Sequence, residues 1–167
     1  FAIAAAKSHD LKEMGEFAEL LHATFHEEMD LHRKYAAEFG ISREELEATV
    51  PSPTAYAYTS HLVRTAYEGT MTEVLAAVLP CQWGYHEIGL RLAQVPGWES
   101  SPYRDWIKTY ASPEFGRLAA MMRERLDALT ASIDEAHKKR LQDLFLTSSR
   151  YEYLFWEKAY QREEWPV

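Results

Sequence analysis

The chain has 167 residues, a formal net charge of −8 and a single cysteine. That length suits one domain with one core, and one cysteine excludes an internal disulfide. An acidic chain with no basic stripe is poorly suited to tracking nucleic-acid phosphates, and no apolar run is long enough to span a bilayer or to act as a secretory leader. The expectation is a soluble, cytoplasmic protein with no membrane partner and no direct nucleic-acid partner.

Ten Tyr, seven Phe and five Trp make the chain rich in aromatics, while seven Gly and seven Pro leave few breaks, so long helices are expected. Phe1 to about Ala6 reads as the end of an apolar helix, and Ser8-His9-Asp10 as the cap of the next. Because this opening lies in mid-helix, further N-terminal helices are expected before it. Leu11, Met14, Phe17, Leu21, Phe25 and Met29 recur at three- and four-residue steps, predicting one long helix up to Gly40. Ser42-Arg-Glu-Glu45 has capping-box form and opens a short helix that stops before Pro51. Another helix is predicted from Thr54 to Glu68, closed by Gly69. Thr70-Met-Thr-Glu73 is a second capping box leading into an apolar helix as far as Gln94. Pro80 lies inside it, lacks an N–H and crowds the preceding turn, so a kink is expected just before Cys81. Ser101-Pro102 and Ser112-Pro113 each set a capping residue before a proline, predicting a short helix to Tyr110 and a longer one to about Ala131. Ser132-Ile-Asp-Glu135 opens the last helix. No stretch alternates strictly enough for a strand, and the fold class is an all-α, single-domain helical bundle over residues 1–167.

The chemistry-bearing residues concentrate around Leu79-Pro-Cys-Gln-Trp-Gly-Tyr-His-Glu87. At helical spacing Cys81 and Tyr85 share a face, Gln82 and Trp83 point elsewhere, and Gly84 admits a close neighbour or a flat ligand. A lone cysteine on an apolar helix is ordinarily an inert, protonated hydrophobe, so the thiol alone does not make a catalyst. Glu152 sits in the aromatic run Tyr151-Glu-Tyr-Leu-Phe-Trp156. If turned inward, a carboxylate there responds by raising its pKa, which suits proton transfer near neutral pH; the alternative is that it faces solvent. Tyr56, Tyr58, Tyr85 and Tyr110 are either core residues with one wet end or a box for a flat heteroaromatic ligand. Glu19-Leu-Leu-His22, with His26, Glu28 and His32 nearby, matches one copy of the Glu-x-x-His step of di-iron bundles. The second copy is missing, so no metal is expected and a solvated face accounts for most of these side chains.

Four segments then acquire meaning together. Pro51-Ser-Pro-Thr-Ala-Tyr-Ala-Tyr-Thr-Ser-His61, Leu79 to Gly89, Trp106-Ile-Lys-Thr-Tyr110 and Ser148-Ser-Arg-Tyr-Glu-Tyr-Leu-Phe-Trp156 resemble, in order, the successive signatures of the TenA/thiaminase II family. The resemblance implies a haem-oxygenase-like helical bundle, generally a homotetramer, with no cofactor. It implies hydrolysis of aminopyrimidines, either thiamin at its methylene bridge or aminomethylpyrimidine to hydroxymethylpyrimidine. It further implies that Cys81 is the nucleophile and Glu152 the acid/base. Tyr58, Tyr85 and Tyr110 would line the pyrimidine pocket, with His32 and Phe155 as neighbours, in the cysteine-containing branch of the family. The family pattern also has a ring-contacting aspartate and an aromatic residue on a helix preceding the segment at which this chain opens, and neither is among these residues. The alternatives are a non-catalytic pyrimidine-binding or indirectly regulatory protein on the same fold, and a haem- or cofactor-dependent oxidase.

Overall fold

Side-chain caps set most of the helix starts. In a computed structural model that describes residues Phe1–Val167, α1 spans Ala2–Ala6 and α2 spans Leu11–Ala23. Asp10 caps α2 by accepting the Glu13 N–H at 2.8 Å. A π-helical turn, Thr24–Glu28, joins α2 to α3, Met29–Glu38, so the long helix predicted up to Gly40 is one rod with a widened turn in its middle. Next come α4, Arg43–Ala48, and α5, Pro53–Glu68, which begin at caps Ser42 and Ser52. The central helix α6, Met71–Leu92, runs unbroken through Pro80 and starts at a capping box in which Glu73 accepts the Thr70 N–H at 2.6 Å.

Two predicted starts shift. Ser101 Oγ accepts the Tyr103 N–H at 3.1 Å and so caps a turn, while α7 itself is only Arg104–Tyr110. Helix α8, Pro113–Thr130, starts at Ser112 as predicted. Helix α9, Glu135–Gln161, is capped by Asp134 and not by Ser132, because Asp134 is the residue whose oxygen reaches an amide of the first turn, His137 N–H at 2.7 Å.

Residues Met71 to Ala77 are buried without interruption, and α6 packs against α5, α7, α8 and α9. A helix segment buried on every side is one that the rest of the bundle surrounds, and its polar members Thr72 and Glu73 are hydrogen-bonded to Thr70. Phe17, Leu20, Leu75, Leu79 and Met122 belong to a core cluster of 8 buried residues, and each of these five contributes about 1.5–3 kcal/mol by leaving water. Gly89 permits the closest crossing: a Cβ there would lie 2.7 Å from the Tyr110 carbonyl carbon and 2.8 Å from Ala111 N. Both are backbone atoms that cannot turn aside. Gly89→Ala is therefore expected to cost about 1–3 kcal/mol in urea unfolding and to push Tyr110 out of place.

Helices α5 and α9 are tied at one end. Glu163, just beyond α9, accepts from Thr54 N at 2.9 Å and Thr54 Oγ1 at 2.8 Å, and Trp165 Nε1 donates to the Pro51 carbonyl at 2.9 Å. This clasp fixes the register in which Tyr58 on α5 meets Glu152 on α9.

Candidate active site

Four helices converge on one thiol. Cys81 sits midway along α6 and keeps partial solvent contact. From α9, Glu152 interacts with it and also accepts a short hydrogen bond, 2.5 Å, from Tyr58 Oη on α5. One turn along α6 stands Tyr85, with its ring 5.1 Å from that of Tyr110 on α7. The structure thus assembles Cys81, Glu152, Tyr58, Tyr85 and Tyr110 in one place. His32 and Phe155 are partly buried, and Phe155 carries Lys158 Nζ 4.3 Å above its ring, but neither makes a hydrogen bond or ring contact to those five residues. Tyr56 leaves the predicted box: it is 59% exposed and packs edge-on to Trp165, because the clasp faces outward at that end of α5.

The electrostatics follow from burial. Burial raises the Glu152 carboxyl above the ordinary carboxylate value, with Tyr58 and Cys81 pulling in the opposite direction. Burial first, then the charges of Glu152 and Glu28, push the Cys81 thiol well above its ordinary value. The phenols of Tyr58, Tyr85 and Tyr110 are pushed up by burial and by the same carboxylates. The site therefore favours protonated phenols and a protonated thiol, and its carboxyl holds a proton more tightly than an exposed glutamate does.

Several contributors carried no sequence signal of their own. Tyr151 stacks on Tyr58 at 5.4 Å, and Trp106 and Trp156 lie 5.9 and 5.8 Å from the Tyr85 ring. Glu28, which reads in the sequence as part of a solvated face, accepts from Tyr110 Oη at 2.6 Å. Gly84 opens space as expected: an added Cβ meets nothing within 4 Å. Pro80, Trp83, Gly84 and Glu152 line a hollow of about 250 Å³. On the di-iron-like face the His22 and His26 rings lie 4.5 Å apart at a tilt of 39°, and no three His, Cys, Asp or Glu side chains gather as a metal-holding group.

Residues 1–162 match the TENA/THI-4/PQQC family. The chain belongs to this family. A relative described as an aminopyrimidine aminohydrolase from Halalkalibacterium halodurans is 46% identical over 166 residues, covering 99% of this chain and 74% of that protein. One of the same description from Bacillus subtilis is 41% identical, covering 96% of this chain and 68% of that protein. Among solved structures, a TenA homologue from P. horikoshii superposes with a TM-score of 0.83 at 30% identity, covering 96% of this chain and 73% of that one. A protein described as a TenA family transcription regulator, from Silicibacter, gives 0.81 at 32% identity, covering 93% of this chain and 71% of that one. These neighbours have the helical haem-oxygenase-like fold, and this chain shares it. In this TENA/THI-4/PQQC bundle, the thiol and the carboxylate sit where α5, α6, α7 and α9 turn their aromatic side chains toward one another.

Proposed function

We propose that this chain hydrolyses aminopyrimidines, converting aminomethylpyrimidine to hydroxymethylpyrimidine, cleaving thiamin, or both, with Cys81 as nucleophile and Glu152 as acid/base. The observation that carries the reading is the meeting of a partly buried cysteine with a carboxyl that burial makes a better proton acceptor, inside a cage of aromatic rings. Relatives at 46%, 41% and 36% identity are described as aminopyrimidine aminohydrolases, which supports the substrate class.

Because the free thiol holds its proton, attack requires a base at the moment of bond formation. Glu152 takes the Sγ proton while sulfur bonds to an electron-poor ring carbon, and the ring loses its aromaticity. With aminomethylpyrimidine the same carboxyl returns that proton to the leaving amine as the bond to the exocyclic methylene breaks; with thiamin the thiazole leaves neutral and the proton passes to solvent. Water then adds at the methylene, giving its proton to Glu152, and the carbon–sulfur bond breaks as aromaticity returns and the thiol is reprotonated. Tyr58 holds the carboxylate, while Tyr85 and Tyr110 form the flat wall; His32 and Phe155 belong to the pocket's outer lining in this proposal.

No helix is long and apolar enough to cross a membrane, and a cytoplasmic location is part of the same proposal. So is a homo-oligomer, a tetramer by the family resemblance, supported by the exposed Leu146, Tyr153, Leu154 and Tyr160 on α9. The test is amine release from aminomethylpyrimidine and cleavage of thiamin by the purified protein. Turnover of either is expected, and failure to turn over both would overturn the reading.

A further inference from the structure

The mechanism above leaves one carboxylate at the site without a task. Glu28 closes the π-helical turn between α2 and α3, and Tyr110 Oη donates to its Oε1 at 2.6 Å. We propose that Glu28 is the positioning residue for Tyr110, forming a second carboxylate–phenol pair at the site beside the Glu152–Tyr58 pair. This inference rests on the aminopyrimidine reading, since it assigns how one wall of that pocket is held.

Three observations support it. The first is where Glu28 comes from. A π turn adds a residue to the helix and re-aims the side chains that follow, at the expense of regular hydrogen bonding, and such turns occur frequently at functional sites. Here the widened turn ends on Glu28, the one carboxylate of the Thr24–Glu28 segment that is partly buried; Glu27 in the same turn is exposed. The second is the number of other groups that hold Tyr110. His86 Nδ1 bonds the Tyr110 carbonyl at 2.8 Å, and Gly116 makes room for that imidazole, since a Cβ there would lie 2.7 Å from His86 Nε2. The Trp106 and Phe115 rings flank the Tyr110 ring at 4.4 and 4.9 Å. Backbone and ring are fixed by these neighbours, so the hydroxyl is the last free element, and Glu28 supplies its acceptor. The third is charge. Glu28 acts on the Cys81 thiol and the Tyr85 phenol as well as on Tyr110, so it belongs electrostatically to the site and not to the outer face of α3.

Phenol–carboxylate bonds in a low-dielectric setting are stronger than their exposed counterparts, and removing the acceptor leaves a hydroxyl without its partner, which favours small shifts of the ring within the cage that otherwise holds it. A displacement of about 1 Å in a wall that orients the substrate costs on the order of 10²-fold in rate.

The experiment is a double-mutant cycle on kcat/KM for aminomethylpyrimidine, joined to proton NMR of the slowly exchanging hydroxyl. Glu28→Ala and Tyr110→Phe should each lower kcat/KM by about 10–100-fold, and the double variant should be no worse than about threefold below the weaker single variant. Glu28→Gln, whose amide oxygen still accepts, should recover at least about tenfold of the Glu28→Ala loss. A downfield hydroxyl resonance, assigned to Tyr110 by its disappearance in Tyr110→Phe, should vanish in Glu28→Ala and persist in Glu28→Gln. Additive losses, wild-type kinetics in Glu28→Ala, or a Tyr110 resonance indifferent to residue 28 would overturn the inference. If Glu28→Ala does not fold, Glu28→Gln and Tyr110→Phe carry the comparison: exchanging the carboxylate acceptor for an amide should shift the Tyr110 resonance upfield, and a resonance unmoved in Glu28→Gln, or wild-type kinetics in Tyr110→Phe, would overturn the inference. A wild-type protein inactive on aminomethylpyrimidine and thiamin would overturn the aminopyrimidine reading alone, and the resonance would still report on the Glu28–Tyr110 bond.

Discussion

Cys81→Ser should abolish turnover, lowering kcat by on the order of 10³-fold or more, while leaving the affinity for hydroxymethylpyrimidine within about threefold of wild type. The argument is one of acidity matched between donor and acceptor. In the free protein the thiol is already well above its ordinary value because burial and two carboxylates disfavour the thiolate. Glu152, itself raised by burial, can still take that proton as sulfur attacks. A serine hydroxyl is far less acidic than any thiol, so the same carboxyl no longer suffices. Binding should survive because the aromatic cage of Tyr58, Tyr85, Tyr110 and Trp106 is untouched, and an oxygen in place of sulfur removes volume without adding any. Calorimetric titration with hydroxymethylpyrimidine beside single-turnover kinetics separates the two effects. Near-normal turnover in Cys81→Ser would sink the nucleophile assignment.

What was legible in the sequence followed the range of the interactions involved. Caps, breaks and helical periodicity are local, so the helix boundaries at Asp10, Ser42, Thr70 and Ser112 could be read directly, while α5 begins one residue before the predicted Thr54. The start of α9 was misplaced by two residues because Ser132 and Asp134 both have capping chemistry, and only the geometry of the turn selects Asp134. Cys81 and Tyr85 could be paired from spacing alone, being one turn apart on one helix. Glu152 and Tyr58 are 94 residues apart in sequence, and nothing local announces their bond; only the family resemblance suggested they meet. Glu28 shows the limit best. Its sequence neighbours are Glu27 and Asp30, so it reads as one of several solvated acids, and its role becomes visible only when α7 delivers Tyr110 from 82 residues away. The same limit explains why Tyr56 misled: two tyrosines at a spacing of two point to different sides of a helix, and the choice between them belongs to tertiary packing.

Glu152→Gln should move turnover and thiol reactivity in opposite directions. Turnover should fall by about 10²–10⁴-fold, the range expected when a positioned acid/base is removed, since the amide can neither take the Sγ proton nor deliver one to the amine. Alkylation of Cys81 by iodoacetamide, in contrast, should become faster at pH 8 than in wild type. Removing the negative charge beside the sulfur lowers the thiol pKa, although burial, the largest cause of the upward shift, keeps it above the ordinary value. A variant that only loosened the fold would raise alkylation too, and stability distinguishes the cases. The Glu152 carboxyl is raised in the folded state, so between its ordinary value of 4.5 and the raised folded value the folded protein binds more protons than the unfolded chain. Stability therefore falls as pH rises through that window. Glutamine removes this loss and still accepts the Tyr58 hydrogen bond, so Glu152→Gln should melt higher than wild type at pH 7 to 8, with the gain shrinking toward pH 4. Thermal melts of both proteins across that range test the sign, and a gain largest at acid pH would show that Glu152 is ionised at little cost and is not the poised acid the mechanism needs.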